Sequence, residues 1–121
     1  MTAARIFFAL VPLLAGLLWT GCGQPKGKVL GKPPEGSSRT ILAVQAGDTP
    51  AVLAIQGRLV EKCPVAGCWF RIEDATGIIK VDTKAAGFVV TDIPLQTAIT
   101  VAGKVAMEGS ETILEATGLR Y

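Results

Sequence analysis

From Pro50 onward this chain reads as an all-β domain, on two observations. Apolar residues recur at every second position, not every third or fourth, and turn signals interrupt them at regular intervals. The spacing predicts five strands. Ala51–Cys63 places Leu53, Ile55 and Leu59 on one face and Gln56, Arg58 and Lys62 on the other, with Gly57 where a bulge or sharp coil is expected. Pro64–Gly67 turns the chain. Cys68–Asp74 then alternates Cys68, Phe70 and Ile72 inward against Trp69, Arg71 and Glu73 outward. After the turn Asp74–Gly77, residues 78–83 carry Ile79 and Val81 inward and Lys80 and Asp82 outward. Residues 84–96, with Ala-Ala-Gly and Ile-Pro, are too irregular for a central strand and have room for at most one helical turn. Thr97–Glu108 resumes the alternation with Ile99, Val101, Val105 and Met107 on one face and Gly103 between them. Gly109-Ser110-Glu111 forms a hairpin turn, and Thr112–Tyr121 completes the set. Residues 40–46 also alternate and are expected to add a short edge strand.

Three segments precede this pattern. Arg5 opens an apolar run from Ile6 to Trp19 that leads through Thr20-Gly21 into Cys22. The run is shorter than the roughly 20 apolar residues of a membrane-spanning helix, and Pro12 and Gly16 interrupt it. It resembles a bacterial lipoprotein signal, with Trp19 where that signal usually has leucine. The resemblance implies that residues 1–21 are removed and that Cys22 carries fatty-acyl chains such as palmitate. Each buried methylene contributes about 0.8 kcal/mol, so several chains hold a protein on a membrane almost permanently.

Residues 22–39 read as a lipidated, flexible linker rich in Gly, Pro, Ser and Lys. Lys26, Lys28, Lys32 and Arg39 face only Glu35, and basic residues near anionic head groups each gain about 1 kcal/mol. A solvated spacer explains the same composition. Residues 40–121 form the single small domain. From Gly47 onward seven basic residues stand against nine acidic ones, a sign change that the whole-chain charge of +2 conceals.

A three-strand meander, a connector and a hairpin, with glycine inside the long first and fourth strands, resembles the OB-fold, a five-stranded Greek-key barrel. The resemblance rests on Gln56-Gly-Arg-Leu-Val60, the Cys63-Pro-Val-Ala-Gly-Cys68-Trp69-Phe70 hairpin, Asp74-Ala-Thr-Gly-Ile-Ile-Lys-Val-Asp82 and Val101-Ala-Gly-Lys-Val105. Together these are similar to exported bacterial lipoproteins with anticodon-binding-like barrels that carry a Cys-x4-Cys-Trp turn and mostly lack an assigned activity. The usual helix between the third and fourth strands is nearly absent.

Cys63 and Cys68 flank a four-residue turn, which is expected to place them opposite each other across the hairpin. An oxidising envelope favours a disulfide there, contributing on the order of 2 kcal/mol. Two alternatives stay open. The pair could exchange electrons, although no helix start is present to lower a thiol pKa. It could also bind metal, chiefly a cuprous ion held by the two thiolates, or two copies of the domain could share a site; zinc or an iron cluster wants four soft ligands, and the chain has no histidine.

Trp69, with Arg71 and Lys80 on the same outward side, is the candidate ligand contact; cover by residues 40–46 is the competing expectation. Histidine, a phosphate loop and a nucleophile motif are all missing, and Glu73 and Asp74 point to opposite faces, so no enzyme activity is expected. Net negative charge and few aromatics disfavour nucleic acid. The sequence thus points to a non-catalytic binding or assembly module of the cell envelope, lipid-anchored and facing the periplasm or exterior. Its partner is expected to be a protein, a glycan or a small molecule. Gly23 after the lipid-bearing cysteine slightly favours the outer membrane.

Overall fold

The computed structural model describes residues 27–121, and the predicted signal and Cys22 lie outside them. Five long strands close a barrel: β3 (Leu53–Lys62), β4 (Trp69–Asp74), β5 (Gly77–Asp82), β6 (Ala98–Glu108) and β7 (Glu111–Arg120). They are preceded by the short strands β1 (Val29–Gly31) and β2 (Ser37–Ser38) and the helix α1 (Ile41–Gln45). β3 lies antiparallel to both β4 and β6, β4 to β5, and β6 to β7. The parallel pairing of β5 with β7 closes the ring. This is the expected all-β, OB-fold-like five-stranded barrel, with boundaries within a few residues of those the alternation marks.

The period-two pattern builds the interior. Leu53, Ile55, Leu59, Phe70, Ile72, Ile79, Val81, Ile99, Val101, Leu114 and Leu119 are all buried. Burial of each such side chain contributes about 1.5–3 kcal/mol. The barrel ends are closed by different segments. Ile41 and Val44 from α1 join the core beside the β4–β5 turn, while Val90 and Ile93 from the connector join it at the opposite end.

α1 corrects the expectation of an edge strand at residues 40–46. The Thr40 hydroxyl accepts the N–H of Ala43 at 3.1 Å as an N-cap. The Asp74 carboxylate accepts the Ile41 N–H at 2.9 Å, and the Thr76 hydroxyl accepts that of Leu42 at 2.9 Å. The donors that a helix start leaves open are therefore met from the β4–β5 turn. A plug that this fold usually draws from between its third and fourth strands comes here from the N-terminal side.

Residues 28–38, expected to be flexible linker, are also tied down. β1 pairs with β7, β2 runs parallel to β3, and Lys28 and Tyr121 exchange backbone hydrogen bonds at 2.7 and 2.9 Å. Gly118 allows this close crossing, because a Cβ there would collide with the Lys32 carbonyl.

Two finer expectations are corrected. The register runs through Gly57 unbroken against β6, and the irregularity in β3 falls between Leu59 and Glu61. Gly57 serves instead to admit the Glu73 carbonyl, which would stand 2.7 Å from a Cβ at that position. Along β6, the register shifts between Ala102 and Gly103, and beyond it Met107 is 61% exposed instead of inward.

Candidate functional site

Alternation on β4 and β5 turns Trp69, Arg71 and Lys80 onto one patch of the barrel's outer surface. Arg71 and Lys80 are cross-strand partners. The Arg71 guanidinium carbon lies 5.7 Å from the centre of the Trp69 ring, and the Lys80 ammonium lies 5.3 Å from it. Both are within cation–π range. All three residues singled out from the sequence are therefore brought together, with Trp69 half-buried among them.

Each cation is also paired. Arg71 reaches Glu61 at 3.1 Å and Glu111 at 3.0 Å, and Lys80 reaches Glu108 at 2.7 Å. The hydrogen bond that Arg71 donates to Glu111 leads the interactions that push the Arg71 pKa above its ordinary value, so its charge is fixed. Two cations facing three carboxylates leave the patch slightly negative. Such a surface presents one rigid aromatic body inside a ring of donors and acceptors. It does not present bare positive charge to phosphates. The glutamates were missed in the sequence reading because Glu108 and Glu111 come from the β6–β7 hairpin, far from Trp69 in the chain. Helix α1 lies at the β4–β5 turn, where Gln45 donates to the Ile78 carbonyl at 2.8 Å. It does not cover Trp69, contrary to the competing expectation.

The β3–β4 hairpin borders this patch. Cys63 and Cys68 are both free thiols, and the expected disulfide is not formed. Register supplies the reason. Lys62 pairs with Phe70, and the Cys63 N–H donates to the Trp69 carbonyl at 3.0 Å, so Cys63 stands opposite Trp69 and not opposite Cys68. The turn folds its backbone N–H groups toward the sulfur. Hydrogen bonds from Ala66 first, then Val65, lower the Cys63 pKa from 9.0 to about 7. The sequence reading looked to a helix start as the source of such a shift; a tight turn supplies it here. No group of three or more His, Cys, Asp or Glu residues suited to a metal occurs among the described residues.

The Cys68 side of the hairpin is anchored. Thr83, a fully buried polar residue, donates to the Cys68 carbonyl through both its N–H and its hydroxyl, each at 2.9 Å, and Val90 N–H reaches Gly67 O at 3.0 Å. Beyond it Asp82 and Lys84 pair at 2.8 Å. Burial acts to raise the Asp82 pKa, but the hydrogen bonds from Lys84 outweigh it and hold the carboxylate below its usual range. The same pairing raises Lys84.

A concavity of about 760 Å³ lies elsewhere, across β3, β6 and the end of β7. Gln56, Thr100 and Arg120 form one cross-strand row in it, with Arg58 beside them. Neither arginine has an ion pair among the described residues. This groove was not legible in the sequence, because it is made by the pairing of strands more than forty residues apart.

No family model and no curated protein matches the chain. Among solved structures eight chains match. One, the hypothetical protein ygiW from E. coli, is 18% identical, with a TM-score of 0.54 over 73% of this chain and 92% of its own. The likeness is one of fold: a small OB-fold-like barrel built on a different sequence.

Proposed function

We propose that the chain is a membrane-anchored, non-catalytic contact module of the cell envelope. In this reading, Trp69, Arg71 and Lys80 receive a protein or glycan partner. The observation that carries it is the patch itself, an outward tryptophan held between two cations that carboxylates fix in place. Tryptophan and arginine dominate binding hot spots because they bury large area with little loss of side-chain freedom when already ordered. The three surrounding glutamates supply acceptors for hydroxyl and amide donors. They also repel phosphate, which favours a protein or glycan over nucleic acid.

The anchor rests on the Leu17–Cys22 motif and the basic residues that follow it. Mass measurement of the chain from the membrane fraction tests it: a diacylated and N-acylated Cys22 is expected, and an unmodified thiol there overturns it. Trp69 is the sole tryptophan after position 19, so its fluorescence tests the patch directly. Titration with soluble peptidoglycan fragments, with an envelope protein extract and with single-stranded oligonucleotide is expected to shift the emission with one of the first two. A salt-sensitive response to the oligonucleotide alone overturns the reading.

A further inference from the structure

Arg39, Arg71, Lys80 and Lys84 each meet a carboxylate within 3.1 Å. Arg58 and Arg120 do not. Both are exposed, neither has an ion pair among the described residues, and they line one groove. Strand pairing lays part of that face out as a single outward row, with Val29 of β1 beside Arg120, Arg120 beside Thr100, and Thr100 beside Gln56. Arg58 stands at the next outward position of β3, facing Glu73 of β4. The other carboxylate in the groove, Asp74, is committed to the amides of Ile41, Thr76 and Gly77. Lys28, exposed and bonded through its backbone to Tyr121, adds a cation beside the groove residue Gly27.

Gly27 is five residues from Cys22, and an extended chain spans at most about 3.6 Å per residue. The lipid-bearing residue is therefore within about 18 Å of the groove. So short a tether keeps the groove close to the membrane surface.

We propose that the Arg58–Arg120 groove docks the barrel on anionic phospholipid head groups, the two guanidiniums binding phosphate and Gln56 and Thr100 serving as further donors. Docking of this kind rests on the anchored reading of Cys22 and adds an orientation to it. The planar fork of a guanidinium matches phosphate oxygens. Each basic residue near an anionic surface strengthens binding about fivefold, so the pair shifts the docked-to-undocked ratio about thirtyfold. Glu73 offsets part of this charge at the β4 edge of the groove. Tyr121, half-buried in the groove, is of a type enriched where membrane meets water. Trp69 lies on β4, across the ring of strands from β6, so docking leaves the contact patch turned toward the aqueous side.

The test uses the chain isolated from the membrane fraction and seated by its own anchor in vesicles of phosphatidylglycerol or of phosphatidylcholine. A photoreactive side chain replaces Gln56 in one sample and exposed Met107, near the β6–β7 turn, in another. Position 56 is expected to give an adduct of phospholipid mass in phosphatidylglycerol and severalfold less in phosphatidylcholine, while position 107 gives little in either. Arg58→Gln with Arg120→Gln is expected to cut the adduct severalfold, Arg58→Lys with Arg120→Lys to retain it, and Glu73→Gln to increase it. Circular dichroism establishes that each variant is folded. With Cys22 acylated, equal yields from positions 56 and 107, or a yield indifferent to the arginines, overturns the docking alone. An unmodified Cys22, read by mass in the same sample, overturns the anchored reading and the docking with it.

Discussion

Cys63 and Trp69 face each other across the β3–β4 hairpin, joined by an N–H to carbonyl hydrogen bond of 3.0 Å. The thiol turn and the aromatic patch therefore share one piece of backbone. Alkylation of Cys63 is predicted to shift Trp69 emission. The check is a fluorescence scan before and after iodoacetamide treatment of the Cys68→Ser chain, with no shift when Cys63→Ser is added.

Backbone donors lower the Cys63 pKa to about 7. Alkylation by iodoacetamide, followed by mass spectrometry, is predicted to rise with pH about a midpoint near 7, not near 9.0. The charged groups about it are Glu61 and Lys62 on β3, with Asp82 and Lys84 beyond Cys68 on and after β5; the connector presents Thr91 and Leu95 to the cavity. Because the folded pKa is depressed, the thiolate's contribution to stability is fully present above the ordinary value and fades as pH falls through about 7. Cys63→Ser removes that part of the pH dependence.

Asp74 accepts hydrogen bonds from Ile41, Thr76 and Gly77. Burial acts to raise its pKa, but these bonds prevail and hold it below the usual carboxylate range. Asp74→Ala is predicted to cost roughly 0.5–2 kcal/mol, as loss of a helix-capping acceptor does. Its stabilising effect is present above the ordinary carboxylate pKa and is lost as pH drops below it. Urea unfolding at neutral and acidic pH checks both, with the gap between wild type and variant closing in acid.

At Gly118 an added methyl collides with the Lys32 carbonyl, where the N-terminal segment crosses β7. Gly118→Ala is predicted to cost about 1–3 kcal/mol by overpacking. For a domain of this size each kcal/mol lowers the melting temperature by about 4–8 °C. Thermal unfolding checks it, and an unchanged midpoint would show that residues 27–33 are not bound to the barrel.

What was legible in the sequence follows the range of the forces involved. Strand periodicity is local, so spacing alone points Leu53, Ile55, Phe70, Ile72, Ile79 and Val81 inward, where they are buried. The outward positions of Trp69, Arg71 and Lys80 followed from the same period. Helix α1 was not legible, because two of its capping acceptors, Asp74 and Thr76, lie more than thirty residues downstream. The geometry of the cysteine turn failed for a register reason. Counting four intervening residues suggests opposed cysteines, whereas the ladder places Trp69 opposite Cys63. The glutamates that neutralise the patch and the row Gln56–Thr100–Arg120 depend on barrel closure, which no local pattern contains.

The contact role of the Trp69 patch is tested most directly by photo-crosslinking in cells producing the full chain, with the reactive side chain at position 71 or, for comparison, at exposed Lys104. The account predicts a discrete adduct from position 71, of protein mass or sensitive to muramidase, that disappears when Trp69→Ala is added. Equal adducts from both positions, or an adduct indifferent to Trp69, would contradict it.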